Sequence, residues 1–467
     1  MRSCHGDYRA IRLIETVKPV SRGAGIMVGA GDSGTRVQPL PVIEGLALQG
    51  GIPTLQRTTV RLPTATGSEI FLSDTVLGGH LLVVGGIGQG KTNAMYHLLH
   101  HVREELTPKD MVIVFDPKGD YLHRFWKQGD VVINDPRGAQ DEKPWNIFAE
   151  LQSGPEPSDD LGEIANEIAH TLFDDDIEGS SQPFFPLAAM QLLAASLTHA
   201  NLVAADLPAG DLSNASLCRY WGKSRAEIVE DLKSHIDTRA LINYIGDQGP
   251  QAGGVLASLT QVLREVFVGR FQYPGHLSVR DVVRQRGGRC LFIEYRIKSG
   301  KALARLYRLL VDLTIKEALN TTLGLPGRVF FFLDEFRLLP HLMHLDHGLN
   351  FGREFGLRFI VGMQSHTQVK AAYGEEADSI LSGFNSVIAF RTTNPETRRF
   401  IQGIAGSNQK LVTVSKIPGH PVQQVVKGQV VEDHDIWQLR PGQAIVFLPG
   451  LAPFVTQIRL YGADGND

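Results

Sequence analysis

"LLVVGGIGQGKT", residues 81–92, sets four aliphatics against four glycines in six positions and closes on a lysine and a threonine. Gly85 through Thr92 fits G-x-x-x-x-G-K-[ST], the phosphate-binding loop. Glycines open backbone angles closed to other residues, so successive N–H groups turn inward as a nest for phosphate oxygens, and the helix that follows presents its positive end. The motif needs a strand before it and a helix after it: residues 81–84 read as a buried strand and residues 92–105 as a helix. Gly85, Gly86, Ile87, Gly88, Gln89 and Gly90 then form the cradle, Lys91 reaches the terminal phosphates, and Thr92 ligates magnesium. A second pattern, "GAGDSG" at Gly29 to Gly34, fits G-x-G-x-x-G, but Pro39 and Pro41 follow and deny it the helix a dinucleotide site requires.

A phosphate loop also needs an acidic pair at a neighbouring strand end, to hold the metal and activate water. "VFFFLDEF", residues 329–336, supplies one: a buried apolar run whose end puts Asp334 by the metal and Glu335 where it polarises the attacking water. Residues 91 and 334 are 243 positions apart, far more than a minimal nucleotide-binding core requires, which predicts a large insertion between core strands. "VFDPKGDY", residues 114–121, puts Asp116, Lys118 and Asp120 at another strand end, and such ends line the ligand crevice of an open parallel sheet. The alternative for that segment is a plain turn with solvated charges.

Gln364, in "RFIVGMQSH", follows a buried strand at the same edge, where it is either a neutral amide that holds the attacking water or senses the terminal phosphate, or a strand-end surface glutamine. Arg353, in "NFGREFG", is expected at a helix end; its fork of donors suits phosphate, and an arginine from a neighbouring subunit stabilises transition-state charge. Arg391, in "AFRTTNPETRR", is the second candidate for that role.

Of 467 residues, 43% are hydrophobic and 21% charged, a balance that allows two or three soluble domains with a sizeable core. The cysteines Cys4, Cys218 and Cys290 are too few and scattered for a disulfide framework or a four-thiolate metal site, which suits a reducing cytosol. No run reaches the ~18 apolar residues of a membrane span, and the opening "MRSCHGDYRA" is unlike a signal peptide, so the chain is expected to be cytoplasmic. A net charge of −4 excludes a uniformly basic surface, so nucleic acid must be met by a local patch or channel.

Four regions follow along the chain. Residues 1–75, rich in Gly and Pro, predict short strands packed on the main body, and residues 76–154 alternate strand and helix as the first part of a nucleotide-binding domain. After "QSGPEPSDD", residues 155–285 carry helical periods such as "LGEIANEIAHTLF" and "GVLASLTQVLREVF", predicting an all-α insertion. Strand runs return over residues 286–467 at "RCLFIEY", "RVFFFLDEF", "RFIVGMQS", "SVIAFRT" and "QAIVFLP", with helices between them. The fold class is therefore α/β, with a mostly parallel sheet covered on both faces.

Three weaker signals remain. "HLMHLDH" spaces His341, His344 and His347 with Asp346 as if for a metal, yet residues six apart on a helix diverge, so only adjacent pairs share a face and a polar surface helix is expected. "RDVVRQRGGR" gathers Arg280, Arg284, Arg286 and Arg289, as a phosphate-backbone contact or a solvated face. "CRYWGKSR" sets Tyr220 and Trp221 among basic residues, where they either stack on bases or are buried.

The order "GGIGQGKT", "FDPKGDY", "FFPLAAMQLLAA", "FFFLDEF", "GREFG", "GMQSHTQV", "LRPGQAIVFLPG" resembles the conjugative coupling proteins of type IV secretion, the TraD and TrwB group, over roughly residues 60–460. The resemblance implies a RecA-like P-loop NTPase domain with an inserted all-α domain. It implies ATP and Mg2+ as ligands, with Lys91 and Thr92 on phosphate and magnesium, Asp334 and Glu335 as metal and catalytic carboxylates, Gln364 as sensor and Arg353 acting across a subunit interface. It further implies a homo-hexameric ring that translocates DNA without reading its sequence, partnered by a relaxase and the secretion channel. Such proteins usually begin with transmembrane helices; this sequence shows none, so the expectation is either a separate membrane-anchor subunit or a relative working elsewhere. Two other classes stay open: a HerA-like or FtsK-like DNA motor of repair, segregation or defence, and a non-catalytic nucleotide-binding adaptor.

Overall fold

Continuous apolar runs decide where the strands lie, because a strand covered on both faces has no solvent side to populate with polar residues. In the computed structural model the described residues are 59–134, 144–153, 161–204, 212–234, 236–246, 249–295, 300, 303–320, 327–417 and 420–462. The pattern at Gly29 to Gly34 and Cys4 lie outside them. The strands are β1 (Thr59–Pro63), β2 (Glu69–Ser73), β3 (Leu81–Val84), β4 (Met111–Asp116), β5 (Val131–Ile133), β6 (Arg289–Glu294), β7 (Val329–Leu333), β8 (Leu357–Met363), β9 (Ser386–Phe390), β10 (Ser407–Ile417), β11 (His420–Gln429), β12 (Gln443–Phe447) and β13 (Phe454–Gln457). All four residues of β3 and all five of β7 are buried.

The described residues fall into two compact units, one from residues 59–105 and 358–462, the other from 106–357. In the first, β3 is central and parallel to β8 on one side and β9 on the other. β12 joins β9 antiparallel and β13 closes that edge antiparallel to β12. A charged residue on the buried strand β8, Arg358, is accommodated because Asp74 accepts from its guanidinium at 3.0 Å. The hairpin β1–β2 is fastened to the end of β13 by backbone bonds from Ala65 N–H to Gln457 and from Arg459 N–H to Pro63. The hairpin β10–β11 pairs only with itself among the described residues, with a register shift between Thr413 and Ser415. No single apolar period marks it in the sequence, and it was not among the expected strands.

In the second unit β4 is flanked by β7 and β6, β5 lies outside β6, and all four are parallel. Between β5 and β6 the described residues hold helices and no strand. The helix Pro250–Val266 shows why: Val255, Leu259, Val262 and Val266 recur at helical spacing and are buried, and Pro250 opens it where a missing N–H costs nothing. It packs on the helix Phe184–Thr198, which packs in turn on Leu161–Gly179. The second unit thus carries parallel strands with helices, and the first a parallel core of β8, β3 and β9 with antiparallel strands beyond it, an α/β class with a helical region. Among the described residues no helix is long and apolar enough to cross a membrane.

Candidate functional site

In the first unit, parallel register brings three strand ends together. Val84 of β3 stands beside Met363 of β8 and Ala389 of β9, so the glycine loop leaves the sheet between the residues that follow those strands. Gly85 N–H donates to the Met363 carbonyl at 3.2 Å, Gly86 N–H to the Arg391 carbonyl at 2.8 Å, and Gly442 N–H to the Gln89 carbonyl at 2.9 Å. A side chain is excluded at Gly85, where a Cβ would lie 2.6 Å from the Phe390 Cβ. Gly90, at φ +115°, turns the chain into the helix Lys91–Glu104 with a backbone that L side chains rarely adopt. That helix has no side-chain cap and no acid in its first turn, so it does not neutralise its own positive end.

Lys91 is 8% exposed, and its Nζ donates to the carbonyls of Gly85 at 2.8 Å and Gly86 at 3.0 Å. The ammonium is therefore held over the loop by the loop's own backbone. Thr92 is half-buried in the first helical turn and Ile87 is exposed at the loop tip. Gln364 is half-buried, one residue beyond Met363, and thus flanks the loop. The Arg391 guanidinium lies over the Trp437 ring at 4.7 Å, an arrangement that occupies its cationic face.

In the second unit the carboxylates line up in the same way. Phe115 of β4 pairs with Leu333 of β7, and Asp116 pairs with Glu294 of β6, so Asp334, Asp116 and Glu294 stand at the C-terminal ends of three neighbouring parallel strands. Asp334 is 7% exposed. The Glu335 Oε1 accepts from Arg337 Nε at 2.8 Å. Asp116 is fully buried and spends both oxygens on its own turn: Oδ1 accepts from the amides of Lys118 and Gly119 at 3.1 and 2.9 Å, Oδ2 from those of Tyr121 and Leu122 at 2.8 and 3.0 Å. Burial raises its pKa above the usual carboxylate value, against the amide donors that pull it down. That turn presents Lys118 and Asp120, both exposed.

Arg353 is exposed and lies in the turn after the helix Leu345–Phe351 rather than on its end; its carbonyl accepts from Gly356 N–H at 3.3 Å. The loop, Thr92, Gln364 and Arg391 are gathered in the first unit; Asp116, Lys118, Asp334 and Glu335 are gathered in the second. Sequence reasoning passed over Glu294, although "LFIEY" ends a buried strand on an acid as "VIVFD" does, and Arg337, which holds Glu335 from two residues away.

The basic run turns inward. Arg280 and Arg284 both pair with the buried Glu317, at 2.9 and 2.7 Å, the buried Arg286 donates to the Lys109 carbonyl at 3.1 Å, and the half-buried Arg289 donates to Gln285 Oε1 at 3.0 Å, so three of the four do not line a surface for phosphates. Tyr220 and Trp221 are buried, with the indole N–H donating to Ser196 Oγ at 3.2 Å, which removes them as base-stacking platforms.

The family model described as type IV secretion-system coupling protein DNA-binding domain matches residues 67–416. Coupling protein TraD of Escherichia coli (strain K12) is 23% identical over 391 residues, which cover 79% of this chain and 51% of TraD. This chain therefore spans about half the length of that relative. Among solved structures, the bacterial conjugative coupling protein TrwBdeltaN70 in an unbound monoclinic form has a TM-score of 0.68 at 22% identity, over 87% of this chain and 90% of that one. Plasmid coupling protein TrwB in complex with ADP and Mg2+ has a TM-score of 0.66 at 22% identity, over 87% of this chain and 90% of that one. At that identity the likeness establishes the fold.

Proposed function

The chain belongs to the family of type IV secretion-system coupling protein DNA-binding domains, and from that premise we propose that it is a magnesium-dependent ATPase that delivers DNA, or a relaxase joined to DNA, to a conjugative transfer channel. The observation that carries this reading is the phosphate loop: a glycine turn pinned by β8 and β9, an uncapped helix end, and an ammonium held over the loop. Those features fit a polyphosphate, since an uncapped helix end and a buried cation stand together at a glycine turn. Thr92 offers a hydroxyl oxygen and Asp334 a carboxylate oxygen, each a hard donor of the kind magnesium takes. Magnesium, when bound, neutralises charge on the phosphates.

The residues divide the work. Lys91 exchanges its two carbonyl partners for phosphate oxygens. Glu335, oriented by Arg337, accepts the proton of the attacking water, and Gln364, at the end of β8, holds that water or senses the terminal phosphate. Asp116 acts through its turn, which is rigid because four amides share one carboxylate, and so fixes Lys118 for a phosphate contact. Arg353 is exposed, as a group serving a neighbouring subunit must be, and head-to-tail contacts that close make a hexameric ring in which every arginine enters the next site. DNA threads that ring through backbone contacts that carry no sequence information, and the channel at the cytoplasmic face of the inner membrane receives it.

The test is steady-state ATP hydrolysis with no DNA, single-stranded DNA and double-stranded DNA, at increasing protein concentration, for the parent and Arg353→Ala. DNA-stimulated turnover per subunit that rises with concentration and collapses in the variant is the expected result. Turnover indifferent to both DNA and concentration would sink the translocase reading.

A further inference from the structure

Three side chains from separate stretches of the second unit converge away from the nucleotide motifs. His344 Nδ1 lies 2.7 Å from Asp312 Oδ2 and 3.4 Å from Glu167 Oε1, and the three ligand atoms are all within 4.8 Å of one another. Asp312 is 1% exposed and Glu167 9%. Glu167 Oε1 is buried without a hydrogen-bond partner, a cost of about 1–3 kcal/mol that folded proteins seldom leave standing. From this convergence we propose that Glu167, Asp312 and His344 form a binding site for a divalent transition-metal ion of the zinc class.

The donor set suits that class. Zinc takes imidazole nitrogen and carboxylate oxygen in a tetrahedron with a water in the fourth place, whereas calcium asks for six to eight oxygens. The two carboxylates are also held by further hydrogen bonds, as metal ligands are. Asp312 Oδ1 accepts from the His344 backbone N–H at 2.9 Å, and the second oxygen of Glu167 is held by the Lys316 ammonium, which also meets Glu163 at 3.2 Å. A proton on Nδ1 is the competitor. It serves Asp312 well at 2.7 Å but leaves the Glu167 oxygen unsatisfied, while a metal engages all three. A metal takes the neutral imidazole, so uptake weakens as the pH falls.

The site ties the helices Leu161–Gly179 and Ala304–Ala318 to the segment that runs from Glu335 toward Arg353. It also resolves the "HLMHLDH" spacing: among the described residues the group takes His344 alone from that run, while His347 stacks on Phe351.

The experiment is Zn2+ calorimetry and Co2+ titration by visible absorption on the chelator-treated full chain at neutral pH. A second group, His100 with His101 and Glu104, offers metal ligands in the first unit, so His101→Ala is the background throughout. One equivalent bound with a tetrahedral cobalt spectrum is expected. His344→Ala abolishes it, and Glu167→Gln, which keeps the side-chain shape should the histidine variant misfold, weakens it by at least the ~10–100-fold that loss of an outer-shell partner costs. Absence of stoichiometric uptake, or uptake unchanged in the Glu167→Gln variant, would overturn the proposal and leave a histidine hydrogen-bonded to Asp312. Because the readout is metal binding, it stands or falls independently of ATP hydrolysis.

Discussion

Substituting Lys91 by methionine removes the ammonium and keeps most of the stem, and its consequences follow from where Nζ sits. In the free protein that atom donates, at 2.8 and 3.0 Å, to the Gly85 and Gly86 carbonyls of its own loop. Charge-assisted bonds contribute about 1.5–3 kcal/mol each, but burying an ammonium costs several kcal/mol, so the two effects largely offset. Urea unfolding should therefore shift by less than about 2 kcal/mol. In the nucleotide complex the ammonium trades those carbonyls for charged phosphate oxygens. The gain is the difference between the two sets, on the order of one charge-assisted bond, so Kd for Mg–ATP should rise about 10–150-fold. Turnover should fall further, by about 10²–10³-fold, since the same charge meets what develops in the transition state. Lys91→Arg should not rescue either quantity, because a planar fork does not fit where a point charge is cradled. A fluorescent-nucleotide titration and steady-state hydrolysis measure both. A methionine variant that binds nucleotide within about threefold of the parent and turns over within about fivefold would refute the assignment of this loop.

Glu335→Gln should cut hydrolysis by about 10²–10⁴-fold with nucleotide affinity near the parent value, separating proton transfer from binding in one titration and one rate. Gly85→Ala drives a Cβ to 2.6 Å from Phe390 Cβ and 3.3 Å from its Cα, which backbone cannot yield cheaply; about 1–3 kcal/mol of stability and much of the nucleotide affinity should be lost, as read by thermal unfolding with and without Mg–ATP. Burial would raise the Asp110 pKa, but the Arg328 guanidinium at 2.7 Å and the Thr107 hydroxyl and amide hold it at about 2, against a usual 3.8. A depressed carboxylate stabilises above its unfolded pKa and loses that contribution as the pH falls through the folded one. Asp110→Asn should thus cost on the order of 2 kcal/mol at neutral pH, and in urea unfolding the gap to the parent should narrow from about pH 4 toward about pH 2.

The strand, glycine turn and helix at residues 81–104 were legible because they are local: burial on both faces shows as an unbroken apolar run, and the turn needs glycine for steric reasons that hold in any context. The helical stretch between β5 and β6 was legible for a like reason, its period visible in residues such as Val255 and Leu259. Parallel register then follows from short rules of chain connection, which is why Gln364 and Asp334 could be assigned to strand ends before any coordinates were known.

Where a side chain points is a different matter, decided by partners far away in the chain. "RDVVRQRGGR" has the composition of a phosphate-binding face, yet Glu317, more than thirty residues on, turns two of its arginines inward. Asp116 has the position of a nucleotide ligand, and four amides of its own turn absorb it. His344 carries a metal-like spacing with His341 and His347, but its partners are Asp312 and Glu167, on helices that periodicity describes one at a time. Sequence period reports which face of an element is buried, because burial is a property of each residue in its own element. It does not report which charge that face meets, because the cost of burying a charge is settled only when tertiary packing brings its partner within hydrogen-bond reach.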